Sequence, residues 1–291
     1  MINFLKWATS SPVRIILILQ LSYILFPLLQ SSFFALIAVK NHTKNLLNYA
    51  GITIMLSILV ASFMGINVIF TSVYVLFSLS LGLLYGTLLR NKISFILIFQ
   101  LLTIISYSIL FIISLIFVVP YGFIDQVLMQ LSPAFESSNV DISTMREVMY
   151  EYFYSSIVWL LYIYAFVTLL LSYAWCSHFQ TLRPLFDEFT NLRLGQFLGL
   201  ATIFIYALSF FLDLSIINQL AMLCLTALFF AGLSFIHFLL VKFSIPRQAL
   251  FLFYLMFFIP ITSNFLSLIL VIIGIMDIFL NLRKFNFIGS K

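Results

Sequence analysis

Charge is what this sequence has least of. Only 8% of its 291 residues are Asp, Glu, Lys or Arg, against about 25% in an ordinary soluble domain. With 64% hydrophobic residues and a mean hydropathy of +1.19, the chain has too little polar surface to face water. A soluble globular domain is excluded, and so is a disordered chain. The 14 basic and 9 acidic residues leave a net charge of +5, too small for a polyanionic partner, so no nucleic acid is expected. Cysteine is scarce as well. Cys176 and Cys224 lie far apart in apolar runs with no CxxC spacing, which argues against a disulfide scaffold or a redox or zinc role and leaves two buried thiols. No nucleophile–base arrangement, phosphate loop or HExxH is found, so neither an enzyme nor a cofactor is expected.

What is present are long apolar runs. Segments of about 20 residues can cross a hydrocarbon core about 30 Å thick. Residues 67–89, 93–120, 154–176 and 214–241 qualify at once, and 46–64 and 196–212 are slightly shorter. Residues 12–39 and 249–280 are too long for one simple span and contain Pro27 and Pro260. If residues 12–39 cross once, basic loops fall outside and the acidic stretch from Asp125 to Glu151 falls inside, against the positive-inside rule. If both regions enter and return at their prolines, every Lys and Arg except Arg146 lies in the cytoplasm, as do both termini. The expected fold is therefore an all-α, polytopic membrane helix bundle of about eight to ten segments, some of them broken by proline. It forms one transmembrane domain over residues 1–291. The first apolar stretch runs past Pro27 without a small-residue cleavage site, so no cleavable leader is expected.

Residues 121–151 form the one sizeable outer segment. Phe123, Ile124, Val127, Leu128 and Leu131 share a helical face, which predicts an interfacial helix stopped by Ser132-Pro133. Thr144-Met145-Arg146-Glu147 has capping-box spacing and predicts the start of the next helix. Tyr150, Tyr152, Phe153 and Tyr154 make an aromatic belt.

The two proline breaks look alike. Pro27 precedes Gln30, Ser31 and Ser32, and Pro260 precedes Thr262, Ser263 and Asn264. Paired interrupted helices point to a substrate site in a transporter. The simpler reading is two proline-ended helices whose polar side chains satisfy freed backbone groups. Gln20, Gln100, Asn218 and Gln219 either line a cavity or join helices, and Asp213 reads as a helix cap in a tight outer hairpin. Ionisable groups in a membrane are functional candidates by default. Asp277 shares a helical face with Asn281 and Lys284 and lies close to Arg283; it either holds a cation, locks this helix to a neighbour, or pairs with snorkelling basic residues. His237 is a proton relay, a metal ligand or a helix-packing hydrogen bond beside Gly232. The topology brings His42, His178 and His237 toward Asp187, Glu188 and Asp277, but no HxxxH or HxxE spacing supports a metal site and none is expected.

Leu192-Arg193-Leu194, then 229–237 ending in Gly232-Leu233-Ser234-Phe235-Ile236-His237, then Gly274-Ile275-Met276-Asp277 with Arg283-Lys284, occur in that order. Together with the Pro27 break before Lys40 and the exit Leu89-Arg90-Asn91-Lys92, this resembles the YybS-like family of uncharacterised bacterial inner-membrane proteins over nearly the whole chain. The resemblance implies a relationship to the substrate-capture subunits of energy-coupling-factor vitamin transporters and to the rod-shape scaffold protein MreD. Residues 14–26 contain no alanine, so the Ala-x-x-x-Ala contact such capture subunits use for docking is missing. Two functions are therefore expected: small-solute capture or transport, or a non-catalytic scaffold that assembles other membrane proteins in the envelope. The partners implied are the lipid bilayer, other membrane proteins and, for transport, a small molecule.

Overall fold

Hydrocarbon offers backbone N–H and C=O groups no partner, so a chain crossing it must satisfy them within its own segments. The computed structural model does this with helices throughout, and describes residues 2–40, 43–137, 141–180 and 182–284. In order these are α1 (Ile2–Ala8), α2 (Pro12–Leu25), α3 (Pro27–Lys40), α4 (Thr43–Met64), α5 (Val68–Arg90), α6 (Phe95–Ile116), α7 (Tyr121–Ser137), α8 (Ile142–Cys176), α9 (Leu185–Phe189), α10 (Gln196–Leu208), α11 (Ser215–Lys242), α12 (Arg247–Leu255) and α13 (Pro260–Leu280). Short 3₁₀ turns follow α12 and α13, and no strand occurs among the described residues. Among the described residues, six helices are long and apolar enough to cross a membrane: Asn45–Met64, Val68–Arg90, Phe95–Ile116, Ile142–Cys176, Ser215–Lys242 and Thr262–Leu280.

Burial departs from that of a soluble protein in two ways, with large rings left outside and hydroxyls enclosed beside the apolar core. Phe63 and Phe197 are each 90% exposed, while Ser31, Ser57, Ser78, Thr103 and Ser234 are wholly buried. Lipid is as apolar as phenylalanine, so the bundle gains little by hiding rings; it gains by hiding hydroxyls that bond one another.

The helices group into two units. The first comprises Met1–Ile98 and Ile163–Phe189, the second Phe99–Tyr162 and Thr190–Lys291; α6 and α8 contribute to both. In the first unit α2 ends at Leu25, because a residue before proline is pushed out of the helical region: Phe26 sits at φ −147°, ψ 85°. Pro27 then opens α3, the position where a missing N–H costs nothing. The chain folds back there and α2 packs on α3. Residues 30–38 of α3 are all buried. Such enclosure needs small neighbours, and Ser78, Gly82 and Gly86 supply them as a stripe at i, i+4 and i+8 along α5. A Cβ on Gly82 would strike the Ser31 carbonyl oxygen, and one on Gly86 would lie 2.7 Å from the Ala35 carbonyl oxygen.

In the second unit α11 and α13 meet in the same way. A Cβ on Gly232 would overlap the Leu270 carbonyl, and one on Gly274 the Leu228 carbonyl. Pro260 opens α13 after an extended Ile259, at φ −95° and ψ 115°. α7 buries Ile124 and Leu128 and is tied to the start of α8 by an Arg146–Asp125 ion pair of 3.0 Å, a 2.8 Å bond from Tyr150 Oη to Asp125 and the edge-on rings of Tyr121 and Tyr150.

Two local expectations are corrected. α7 runs through Ser132-Pro133 to Ser137, since one proline removes a single N–H from the ladder and need not end it while neighbouring turns stay bonded. α8 is capped by Asp141 three residues before Thr144: its carboxylate accepts the Ser143 N–H at 3.0 Å and the Ser143 and Thr144 hydroxyls at 2.7–2.9 Å. An acceptor at the N-cap meets the first free N–H groups directly. These bonds, those from Ser143 foremost, hold the Asp141 carboxyl below its ordinary 3.8. A depressed folded-state pKa adds stability above the unfolded value and loses it as pH falls through the folded one. The protection factors of the Ser143 and Thr144 amides, exchange being taken relative to the intrinsic rate at each pH, should therefore be flat from neutral pH down to about 4 and fall only below it; Asp141→Ala should show the low protection at every pH. Identical exchange in both proteins at neutral pH would remove the cap.

Candidate functional site

Pro27 fixes where α3 begins and so places Gln30, Ser31 and Ser32 in its first two turns, facing the interior of the first unit. All three are fully buried. Ser31 Oγ lies 2.8 Å from Ser78 Oγ and 2.9 Å from Tyr164 Oη. Tyr164 in turn reaches Ser78 at 3.4 Å and Tyr74 Oη at 3.2 Å. The four protons can all be placed: Ser31 donates to Tyr164, Tyr164 to Ser78, Ser78 back to Ser31, and Tyr74 into Tyr164. Ser32 Oγ donates to the Thr168 carbonyl at 3.3 Å, one turn along α8 from Tyr164. The Gln30 amide reaches the Leu19 carbonyl at 3.5 Å, while its Oε1 is buried without a partner.

On α5 the polar face continues outward from Ser78 to Tyr74 and Thr71, spaced as one helical stripe. Tyr23 Oη from α2 meets Thr71 Oγ1 at 3.3 Å. Tyr23, Thr71 and Tyr74 form one wall of a cavity of about 370 Å³ whose rim is Met64, Ile66 and Phe70. Deeper in the same unit the Gln20 amide binds the Thr53 carbonyl at 2.8 Å and the Ser57 hydroxyl at 3.2 Å, joining α2 to α4.

The second unit holds a different arrangement. α13 ends at Leu280, and Asn281 takes a left-handed conformation with φ 47° and ψ 51°, which turns the chain back under its own helix. Arg283, and not Lys284, then reaches Asp277: Nε to Oδ2 is 2.9 Å, with side chains 3% and 5% exposed. The other guanidinium nitrogens donate to the Thr190 carbonyl, to the Leu192 carbonyl at 3.0 Å and to Ser234 Oγ at 3.2 Å. The rings of Phe235 and Phe238 sit 5.8 and 5.7 Å from it. Burial lowers the Arg283 pKa and Asp277 opposes that shift, so the guanidinium keeps its charge. One side chain thus bonds α11, α13 and the 190–194 loop. Arg193 Nη1 bonds Asn281 Oδ1 at 3.1 Å, and Gln100 Nε2 holds the Arg193 carbonyl at 3.0 Å.

The remaining candidates are separate from these clusters. Thr262 bonds the Met256 and Ile259 carbonyls, Ser263 is half-buried and Asn264 is exposed; here the polar residues after the proline serve the helix start and its surface. Asn218 contacts Glu151 at 3.3 Å and Asp213 at 3.5 Å. Asp213 caps nothing: α11 has no side-chain cap. Gln219 bonds the Glu151 carbonyl at 2.7 Å. His237 Nε2 lies 2.6 Å from Tyr254 Oη, a helix-packing bond. No group of three His, Cys, Asp or Glu side chains capable of holding a metal occurs among the described residues, and His42 lies outside them.

Sequence reasoning found Gln30, Ser31 and Ser32 but missed Tyr23, Thr71, Tyr74, Ser78 and Tyr164. The available signal was the run of hydroxyl residues at 71, 74 and 78, which falls on one face of an otherwise apolar span. Thr190, Leu192 and Ser234 were missed as well, two of them acting through backbone carbonyls that no side-chain pattern reveals. No family model matches the chain, and no curated protein or solved structure does either.

Proposed function

We propose that this is a non-enzymatic, multi-pass protein of the bacterial inner membrane that captures or transports a small solute. The observation that carries the reading is the buried hydroxyl cluster of Ser31, Ser78 and Tyr164, joined through Tyr74 to a cavity between α2, α4 and α5. Polar groups inside a membrane bundle cost free energy unless they bond helices or face a pathway. A cavity walled by three hydroxyls adds a pathway to the first of these roles. The topology that goes with this reading has ten segments, with the six long helices and four shorter apolar ones, Pro12–Leu25, Leu28–Lys40, Gln196–Leu208 and Gln248–Phe258, and both termini in the cytoplasm. The positive-inside rule favours it. The resemblance to the YybS-like family supports the same placement.

The test compares cells carrying the wild-type protein with cells lacking it, by untargeted profiling of accumulated solutes. Ser31→Ala with Tyr164→Phe should reduce accumulation of the affected solute roughly 5–15-fold, about one hydrogen bond in the transported state. Accumulation is compared per amount of folded protein in the membrane, because Ser78 and Tyr74 lose partners in this variant and the bundle loses some stability with them. Full accumulation by this variant would sink the capture reading and move the weight to an envelope scaffold, whose partners would then co-purify in mild detergent.

A further inference from the structure

We infer that the cavity of the first unit takes an uncharged amphiphile with an alcohol head group, the head against Tyr23, Thr71 and Tyr74 and the apolar tail across the Met64–Phe70 rim. The inference rests on the capture reading above and names its ligand class. Three observations carry it.

The first is the absence of charge around the cavity. None of its lining residues is Asp, Glu, Lys, Arg or His. Among the described residues of this unit, the nearest basic group along α2 is Arg14, nine positions from Tyr23 or about 14 Å. Along α5 it is Arg90, sixteen positions from Tyr74 or about 24 Å. A carboxylate or ammonium entering here would leave water without meeting a counter-charge, which excludes it on desolvation alone.

The second is the chemistry of the polar wall. It presents hydroxyls and no N–H groups from side chains. Tyr23 and Thr71 share a single hydrogen bond, and each hydroxyl carries one proton. Tyr23 donates that bond, so the proton left over is the Thr71 O–H, on a residue that lines the cavity yet is only 1% exposed. Tyr74 Oη lies 3.2 Å from Tyr164 Oη in a bond that either can donate, so it offers the cavity lone pairs and, where Tyr164 donates, a proton as well. The wall thus supplies both a donor and acceptors within one small patch. An alcohol, which donates and accepts through one oxygen, satisfies both; a ketone or ether satisfies only the donor.

The third is the shape. At about 370 Å³ the cavity sits at the small end of the roughly 300–1,000 Å³ range of ligand clefts. Its rim residues Met64 and Phe70 are 60% and 70% exposed. That rim faces lipid like the other exposed apolar side chains of the bundle, so a tail leading outward across it stays in an apolar medium while its head remains in the cavity.

The experiment is photolabelling of the full chain in lipid nanodiscs, followed by peptide mapping. Three diazirine probes of equal chain length are compared: decanol, decanoate and plain decane. Decanol should label peptides containing Met64, Phe70 or Tyr74, with displacement by unlabelled decanol. Decanoate and decane should label them about tenfold less, one to two hydrogen bonds' worth. Tyr23→Phe with Thr71→Val keeps the cavity's shape and should bring decanol labelling down to the decane level. Equal labelling by decane would make the cavity an acyl-chain crevice and overturn the inference. Equal labelling by decanoate, or no effect of the double variant, would overturn it as well. The probe comparison uses the unaltered protein, so it decides even if the variant misfolds. Alcohol-selective labelling alongside full accumulation by the Ser31→Ala, Tyr164→Phe protein would uphold the ligand class and sink the capture reading. Loss of accumulation without alcohol-selective labelling would overturn the ligand class alone.

Discussion

Replacing Asp277 by alanine should destabilise the second unit by about 3–5 kcal/mol, the cost of leaving a buried charge without its partner. Arg283 is 3% exposed at the side chain and cannot reach water without pulling the 190–194 loop and α13 apart. Its carbonyl partners on Thr190 and Leu192 carry only partial charge and cannot replace a carboxylate. The size of the loss belongs to the orphaned charge and not to the pair itself, which the double replacement Asp277→Ala, Arg283→Met should reveal. Removing both charges removes the desolvation penalty, so the double variant should be more stable than Asp277→Ala alone. It should still fall short of wild type, because methionine offers no donor to the Leu192 carbonyl or to Ser234. Arg283→Lys should lie between: it keeps the charge but loses the planar fork that serves three elements at once. Reversible denaturation in mixed micelles measures the series. A loss below about 1 kcal/mol for Asp277→Ala, the range of an exposed pair, would show that the interaction contributes little.

Gly232→Ala should be nearly as damaging, at about 1–3 kcal/mol or more, although it adds one methyl group. That methyl would be built into the Leu270 carbonyl oxygen, with Leu270 Cα at 3.1 Å. A side chain in the way could rotate; a backbone carbonyl bonded within its own helix cannot, so α11 and α13 must separate. Separation reaches the ionic network directly, because Ser234 is on α11 and Asp277 on α13. Gly232→Ala and Asp277→Ala should therefore be non-additive. Gly51→Ala is the control: nothing lies within 4 Å of its added Cβ, so stability should not fall and should rise by up to about 1 kcal/mol from the better helix propensity of alanine. If both glycine variants behaved alike, close backbone packing would not be what holds α11 to α13.

Much of the architecture was readable from residue order. The breaks at Pro27 and Pro260 lie where proline chemistry puts them, and the apolar runs coincide with the long helices to within a few residues, except that α8 begins at Ile142, well before the run that starts at residue 154. The polar triplet on α3 stood out because hydroxyl and amide groups are costly in hydrocarbon. Its apparent twin on α13 shows where that reading stops. Gln30, Ser31 and Ser32 are enclosed, while Asn264 is exposed, and composition cannot tell a buried polar cluster from a capping one. The cap at Asp141 was passed over for Thr144 because spacing rules describe candidates, and only backbone geometry selects which oxygen meets the free N–H groups.

By itself, then, the sequence determined the solvent of this protein and its response to it: too little charge for water, helices long enough for lipid, and prolines that break two of them. These follow from composition and local sterics, which act over one or two turns. The tertiary structure alone decided which groups meet. Ser31 bonds Tyr164, 133 residues away, and Arg283 rather than Lys284 pairs with Asp277 because one left-handed residue reverses the chain. Hydrogen bonds reach about 3 Å, so they register only where packed helices place two atoms together, and no periodicity within a single helix contains that distance.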